Sequence, residues 1–156
     1  MRIGVRNKQS NNMATSNLTG NTYSLTDGNT AEIGFSISPN KACTIVAVVK
    51  SGLTDATTAT IYDNAQVSIG TATFSGNTAS FLSPVAVSAG LNYYVMTSGH
   101  VTRAYELTLA YPRARTDITY SNNAYRAGTI VTGIGEDANI LDIQTDARNS
   151  NFLMHT

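Results

Sequence analysis

Residues that could perform acid–base or nucleophilic chemistry are few in this sequence. The two histidines are His100, which follows Ser98-Gly99, and His155. Neither lies in a recognised nucleophile motif such as Gly-x-Ser-x-Gly, which would hold a serine within reach of a base. We therefore expect His100 to be a solvated turn residue and the protein not to be an enzyme.

Cys43 is the only cysteine, so it cannot form a disulfide within the chain. One cysteine and two histidines also fall short of the four ligands of a structural zinc site. Because Cys43 begins an apolar run, we expect a buried thiol with a raised pKa rather than a reactive thiol. The sequence predicts no cofactor.

Two groups of acidic residues carry the oxygen ligands that calcium prefers. Asp27-Gly28-Asn29 lies near Glu32, and Asp137, Asp142 and Asp146 lie around the last predicted strand. Neither group has the spacing of an EF-hand loop. Aspartate and asparagine are also common in turns, because their side chains bond to nearby backbone amides. We predict no metal site, with calcium held in a loop as the alternative.

The segment 103–126 is rich in the two residue types that are enriched at the energetic centres of protein interfaces. It contains four of the seven arginines and four of the eight tyrosines. We interpret it as a subunit contact. One alternative is a tyrosine platform for sugar rings, and another is solvated surface in which the arginines pair with Glu106 and Asp117. The candidate interface residues are Arg103, Tyr105, Tyr111, Arg113, Arg115, Tyr120, Tyr125 and Arg126.

The charge balance of the chain gives no general electrostatic attraction to two classes of partner. Ten basic residues balance ten acidic ones, which removes any overall attraction to nucleic acid or to an anionic membrane. No run approaches the roughly 18 apolar residues of a membrane-spanning helix.

The first twelve residues also lack the apolar region of a secretory signal. We expect neither nucleic acid nor a membrane as partner.

The composition and the spacing of apolar residues favour β-structure. Thr, Ser, Asn and Gly make up 63 of the 156 residues, which suits strands joined by tight turns better than long helices. From residue 31 the apolar residues alternate, and Ile33, Phe35 and Ile37 predict a half-buried strand. Roughly eight to ten short strands predict an all-β fold, an antiparallel β-sandwich of jelly-roll type over residues 31–156.

Residues 1–30 are polar and rich in Asn, Thr, Ser and Gly. This composition is typical of an arm or linker, which is ordered only when something holds it. We expect an extended N-terminal arm that neighbouring chains hold. An arm that docks on its own domain is the alternative.

Individual segments give more specific expectations. The run 43–49 is nearly continuous and β-branched, which predicts a central strand buried on both faces. The fragment Thr-Ala-Thr occurs at 58–60 and again at 71–73, which indicates two successive arms of a meander. Further strands are predicted at 101–111, which Pro112 ends, and at 117–120 before a loop at 121–123. A last pair of strands is predicted at 128–134 and 140–145.

Three runs carry a likeness to a known group of proteins. They are TTATIYD at 57–63, GTATFSGNTA at 70–79 and SPVAVSAGLNYYV at 83–95. This order resembles β-sandwich modules of tailed-bacteriophage virion proteins, of the head decoration or the tail and fibre type. In those modules a strand ending in Tyr-Asp precedes a Thr/Ala-rich meander and a Pro-x-x-x-x-x-Gly-x-x-Tyr-Tyr strand. The run ANILDI at 138–143 is similar to their last strand, so the resemblance covers about 31–145.

The resemblance implies a function without catalytic residues. It predicts a non-enzymatic virion structural protein, on the capsid surface as a decoration or in the tail. Such a protein works through contacts with other virion proteins and with sister subunits, and we expect a homo-oligomer located in the virion. The alternative is a carbohydrate-binding or adhesion β-sandwich domain of a secreted or receptor-binding protein. That domain would bind a glycan outside the cell or at its surface.

Overall fold

In the computed structural model, the described parts of the chain are residues 13–14, 22–26, 31–106, 111–133 and 139–146. Every helix or strand within these ranges is a strand, which confirms the all-β prediction. The strands are β1 (Met13–Ala14), β2 (Thr22–Thr26), β3 (Glu32–Pro39), β4 (Cys43–Lys50), β5 (Thr58–Tyr62), β6 (Ser68–Ser75), β7 (Thr78–Val87), β8 (Tyr93–Ser98), β9 (Thr102–Glu106), β10 (Arg113–Ala114), β11 (Ile118–Arg126), β12 (Ile130–Thr132) and β13 (Ile140–Asp146).

Eleven of these strands form one antiparallel sheet that curls around a core. Their order is β1-β13-β4-β7-β6-β5-β8-β3-β11-β10, with β12 beside β11, while β2 and β9 form a separate ribbon. The ladder between β6 and β7 is short, because only Phe74 and Ser75 of β6 pair with β7. Beyond this short hairpin the two strands separate into different parts of the sheet.

The two Thr-Ala-Thr fragments lie on neighbouring strands and pair with each other. Residues 58–60 of β5 face residues 73–71 of β6 in an antiparallel ladder, which confirms the meander prediction. The turn between the two strands is closed by Asp63, whose Oδ1 accepts hydrogen bonds from the amides of Ala65 (2.9 Å) and Val67 (3.0 Å). An aspartate at this place satisfies backbone donors that the turn leaves free.

The main core lies inside the curl of the sheet. It draws apolar side chains from both halves of the strand order, so the halves are held together by one hydrophobic cluster. Its largest fully buried members are Tyr120, Phe35, Ile37, Ile45, Ile61, Ile118, Ile140 and Ile143.

Strand β3 is more buried than its alternating pattern predicts. Gly34 and Ser36, on the face expected to meet solvent, are buried as well. The reason is a second, smaller apolar cluster on that face of the sheet. A Cβ added to Gly34 would lie 1.8 Å from the carbonyl oxygen of Val95, so only glycine fits there. The second cluster consists of Tyr62, Met96, Ala124 and Ile130, with Tyr94 packed against it.

Strand β4 is central, as predicted, because it pairs with β13 on one side and with β7 on the other. Burial on both faces is not confirmed, since Val46 and Val49 are only partly buried. A register shift between Ile45 and Ala47 interrupts the ladder to β7. Such a bulge bends a strand and changes which side chains face the core.

Two expectations for the C-terminal part are wrong. Strand β11 runs through 121–123, which was expected to be a loop, because a bulge between Tyr120 and Asn122 keeps it paired with β3. The strands expected to form a last pair do not pair with each other. Instead β12 pairs with β11, while β13 pairs with β4 and β1. Burial of Ile140 and Ile143 against the core explains the position of β13.

Two short strands come from the predicted N-terminal arm. β1 pairs with β13 and β2 pairs with β9, so these residues lie on the chain's own body. This pairing supports the docked alternative for 13–14 and 22–26, while the division of the chain at residue 30 stays a prediction. The rest of the arm lies outside the described residues, as do 107–110, 134–138 and His155.

Candidate functional site

Three residues of the predicted interface lie together at the end of the sheet, and we call Tyr111, Arg113 and Arg115 the β10 edge. All three are partly buried. The guanidinium of Arg113 lies over the ring of Tyr111, with its central carbon 5.3 Å from the ring centroid. This is the geometry of a cation–π contact. The ring of Tyr111 also packs against the main core, with its centroid 6.1 Å from that of Phe35.

Backbone hydrogen bonds fix the position of the β10 edge. The amide of Arg115 donates to the carbonyl of Ile118 (2.8 Å), which closes the turn between β10 and β11. The side-chain amide of Asn40 donates to the carbonyl of Arg115 (2.8 Å), and the hydroxyl of Thr119 donates to Asn40 Oδ1 (2.8 Å). The turn is therefore tied to the loop after β3 and presents its side chains on a fixed backbone.

The carboxylate of Asp117 is buried beneath this turn. Lys41 Nζ lies 3.2 Å from its Oδ1, and the hydroxyl of Thr145 donates to its Oδ2 (2.7 Å). The ion pair with Lys41 neutralises a charge that would otherwise be costly to bury.

The remaining predicted interface residues are not at this edge. Tyr120 lies in the core, fully buried and edge-on to Phe35 with ring centroids 5.2 Å apart. Burial also raises the pKa of its phenol well above the ordinary value. Tyr125 and Arg126 lie at the other end of β11, about 20 Å from Arg113 at the rise of a strand. The structure therefore does not bring the whole segment 103–126 into one patch.

Arg103 and Tyr105 lie on β9, on either side of buried Ala104. The amide of Ala104 donates to Asn139 Oδ1 (2.8 Å), and Asn139 Nδ2 donates to Thr97 Oγ1 (3.0 Å). Asn139 and Thr97 are fully buried, so this chain of bonds fastens the β2–β9 ribbon to the sheet. Nothing in the sequence spacing pointed to Asn139, because its partners are about 35 and 42 residues away.

Arg126 belongs to a second polar group on the outer face of the sheet. Its guanidinium forms an ion pair with Glu32, and the hydroxyl of Tyr62 donates to Glu32 Oε1 (2.8 Å). The guanidinium also lies over the Tyr62 ring, 5.4 Å from the centroid. Burial, followed by the bond to Glu32, raises the pKa of Tyr62 to about 12, so the phenol stays neutral and donates.

The expectation for His100 is wrong, because the side chain is 2 % exposed. Gly99 adopts a left-handed conformation (φ +80°), and a Cβ there would lie 2.0 Å from Thr57 Oγ1. This tight turn carries the following residue inwards. Nearby, Asp55 Oδ1 accepts hydrogen bonds from the amides of Val101 (2.8 Å) and Thr102 (2.9 Å), and the bond from Thr102 contributes most to lowering the pKa of Asp55.

The prediction for Cys43 is confirmed. Its side chain is buried in the core, and burial, with a smaller contribution from the negative charge of Asp117, raises the pKa of the thiol to about 11. Because the thiolate is the reactive form, this thiol is a poor nucleophile at neutral pH.

The candidate calcium ligands are only partly within the described residues. Asp142 and Asp146 are buried on β13, whereas 27–29 and Asp137 lie outside the described ranges. Over the ranges that are described, no three His, Cys, Asp or Glu side chains are grouped so that they could hold a metal ion. The same ranges hold no helix long and apolar enough to cross a bilayer.

Comparison with known proteins adds no family to this description. No protein-family model matches the chain, and no curated protein matches it. The resemblance to virion modules therefore stays a prediction from the motifs quoted above.

Proposed function

We propose that this chain is a non-enzymatic structural protein of a virion, either a decoration of the capsid surface or a component of the tail. It works by contacts with other virion proteins and with sister subunits. The curled sheet is, in this proposal, a β-sandwich of jelly-roll type. Its two layers are β1-β13-β4-β7 and β6-β5-β8-β3-β11-β10, which share the main core.

The β10 edge is the observation that carries this proposal. It combines arginines and a tyrosine, which dominate the binding energy of many interfaces, on a backbone that hydrogen bonds hold in place. A prearranged surface loses little conformational entropy when a partner binds. The chain as a whole has zero net charge, and both halves of its sheet share one core, as suits a building block.

The proposal is tested by following the chain in the cells that produce it. A nuclease-treated lysate is separated on a density gradient, and the full-length tagged chain is located by its tag. We expect the chain in fractions of particles that protect nucleic acid from the nuclease. A chain found only among free proteins, in a lysate that contains such particles, would contradict the proposal.

A second candidate is the carbohydrate-binding or adhesion domain, which one groove favours. An open groove of about 480 Å³ lies between the β5–β6 turn and the loop before β8. Asn64 and Asn92 supply polar groups, and the exposed side chains of Ile69 and Leu91 supply apolar surface. Sugar sites combine these two kinds of surface. Glycan-array binding that Asn92→Ala abolishes, with no particle association, would favour this function.

A further inference from the structure

Strand β6 has one side that no described strand covers along most of its length. It pairs with β5 through residues 68–73, with a register shift that leaves Ile69 out of the ladder, and with β7 only at Phe74 and Ser75. Alternate backbone N–H and C=O groups of an antiparallel strand point away from its partner. Residues 68–73 therefore present a row of backbone donors and acceptors, and we call this row the β6 edge.

The β6 edge lies in a part of the chain without charged side chains. Residues 64–102 contain no Asp, Glu, Lys or Arg. Natural proteins usually protect an open strand edge with charges, proline or a covering segment. The β10 edge, in contrast, carries Arg113 and Arg115, which would repel the same residues of an identical chain.

The side chains at the β6 edge suit pairing with another strand. Ile69, Thr71 and Thr73 are exposed and β-branched, whereas Ala72 faces the core. Gly70 also faces inwards, because a Cβ there would lie 2.5 Å from Val85 Cγ2. Val67, which immediately precedes the strand, is also apolar and exposed.

We propose that the β6 edge pairs with the β6 edge of a second copy of this chain, antiparallel and about a two-fold axis. A two-fold contact places the same residues opposite each other, so it requires an edge without like charges. The β6 edge meets this requirement. The inference concerns a surface other than the β10 edge and does not rest on a virion function.

The small area of this contact favours weak binding. Six residues of strand are a small interface, and interfaces at the low end of the size range are weak. We expect a dimer with a Kd of about 10 µM for the purified full chain. The dimer therefore forms and dissociates within the concentration range of analytical ultracentrifugation.

The test is sedimentation of the purified full chain from about 2 µM to about 200 µM, with two variants of one residue. Thr71→Lys places like charges on the two strands of the contact, and we expect its Kd to rise at least about tenfold. Thr71→Val keeps an uncharged β-branched edge and should dimerise as the parent does. Val131→Lys, at an exposed position of β12, adds the same charge away from the edge and should not weaken the dimer.

Each outcome decides the proposal. A parent that is monomeric at about 200 µM would overturn it and leave the edge to a different partner. A Thr71→Lys protein that dimerises like the parent would overturn it as well. Circular dichroism checks the folding of each variant, and Thr73→Lys, at another exposed edge position, replaces Thr71→Lys if that protein does not fold. A dimer of the parent that both Thr71→Val and Val131→Lys retain and an edge lysine disrupts would support the proposal.

Discussion

The β10 edge and the β6 edge differ in almost every property that governs recognition. The β10 edge carries two arginines, one of them held over a tyrosine ring. The β6 edge carries no charge and offers backbone groups beside Ile and Thr side chains. Charged and aromatic groups select a partner by its chemistry, whereas an open strand selects a partner by its shape and register.

This difference assigns separate roles to two surfaces of one small body. In the proposed assembly, the β10 edge contacts another virion protein and the β6 edge joins two copies of the chain. Both edges depend on the same core, which draws on strands from both halves of the sheet. Substitutions should therefore separate into those that damage the body and those that remove one contact.

The largest effect is expected from a substitution that destabilises the core on which both edges depend. Val48 is fully buried on central strand β4, so Val48→Asp buries a carboxylate without a partner. We expect a loss of about 3 kcal/mol or more in the free energy of unfolding, measured by urea denaturation, and the loss of both contacts. Val46→Asp, on the partly buried face of the same strand, should cost less. Equal losses for the two variants would contradict the burial described for β4.

The second largest effect is expected from substitutions that weaken the contact at the β10 edge and leave the fold intact. Arg113→Ala combined with Arg115→Ala should weaken particle association by about 2 kcal/mol, because truncated interface arginines often cost that much. The melting temperature should fall only slightly, since both arginines are partly buried and the cation–π contact of Arg113 at such a site contributes about 0.5–1 kcal/mol. The bound fraction on the density gradient measures association. The control variant is Arg126→Gln, at the far end of β11. If it reduces particle association more than the double variant does, the contact is not at the β10 edge.

A smaller effect is expected from a substitution on a strand that lies between the two edges. Tyr62→Phe removes the hydroxyl that donates to Glu32 and keeps the ring beneath Arg126. A single hydrogen bond to a charged group contributes about 1.5 kcal/mol to stability, so denaturation should show a loss of this order. Dimerisation and particle association should be unchanged. If Tyr62→Phe is as stable as the parent, the hydrogen bond to Glu32 does not contribute to the free energy of unfolding.

The smallest effect is expected from acid. The pKa of Asp55 is lowered in the folded chain, chiefly by the amide of Thr102, so its contribution to stability is present above its unfolded pKa of 3.8. That contribution is lost as the pH falls through the lower folded pKa. Melting between pH 5 and pH 2 should show a decline that Asp55→Asn reduces. The β6 edge has no ionisable side chain, so dimerisation should not depend on pH between 5 and 9.

Sequence patterns correctly predicted the strands that are recognisable from residues close together in the chain. The alternation of Ile33, Phe35 and Ile37 identified β3, and the two Thr-Ala-Thr fragments identified the β5–β6 hairpin, because each signal comes from residues close in the chain. The pairing of β12 and β13 was wrongly predicted, since the contacts that decide it are far apart in sequence. A bulge likewise allows asparagines at 122–123 within β11, where composition indicates a loop.

The candidate site shows the same limit. Clustering of Arg and Tyr in the sequence grouped Tyr111 and Arg113, which lie together, with Tyr120, which strand alternation turns towards the core. Glu32 and Tyr62, partners of Arg126, were missed because they are about 94 and 64 residues away from it. His100 was expected in solvent because its turn residues suggest a surface, yet Gly99 turns the chain against Thr57.

Hydrogen exchange tests most directly whether both edges are contact surfaces. Amide exchange is compared between the chain in the particle fraction and the purified Thr71→Lys chain, read peptide by peptide. We expect slower exchange in the particle at 68–73 and at 111–115, and unchanged exchange at the exposed residues 131–133. Equal exchange at both edges in the two samples would contradict it.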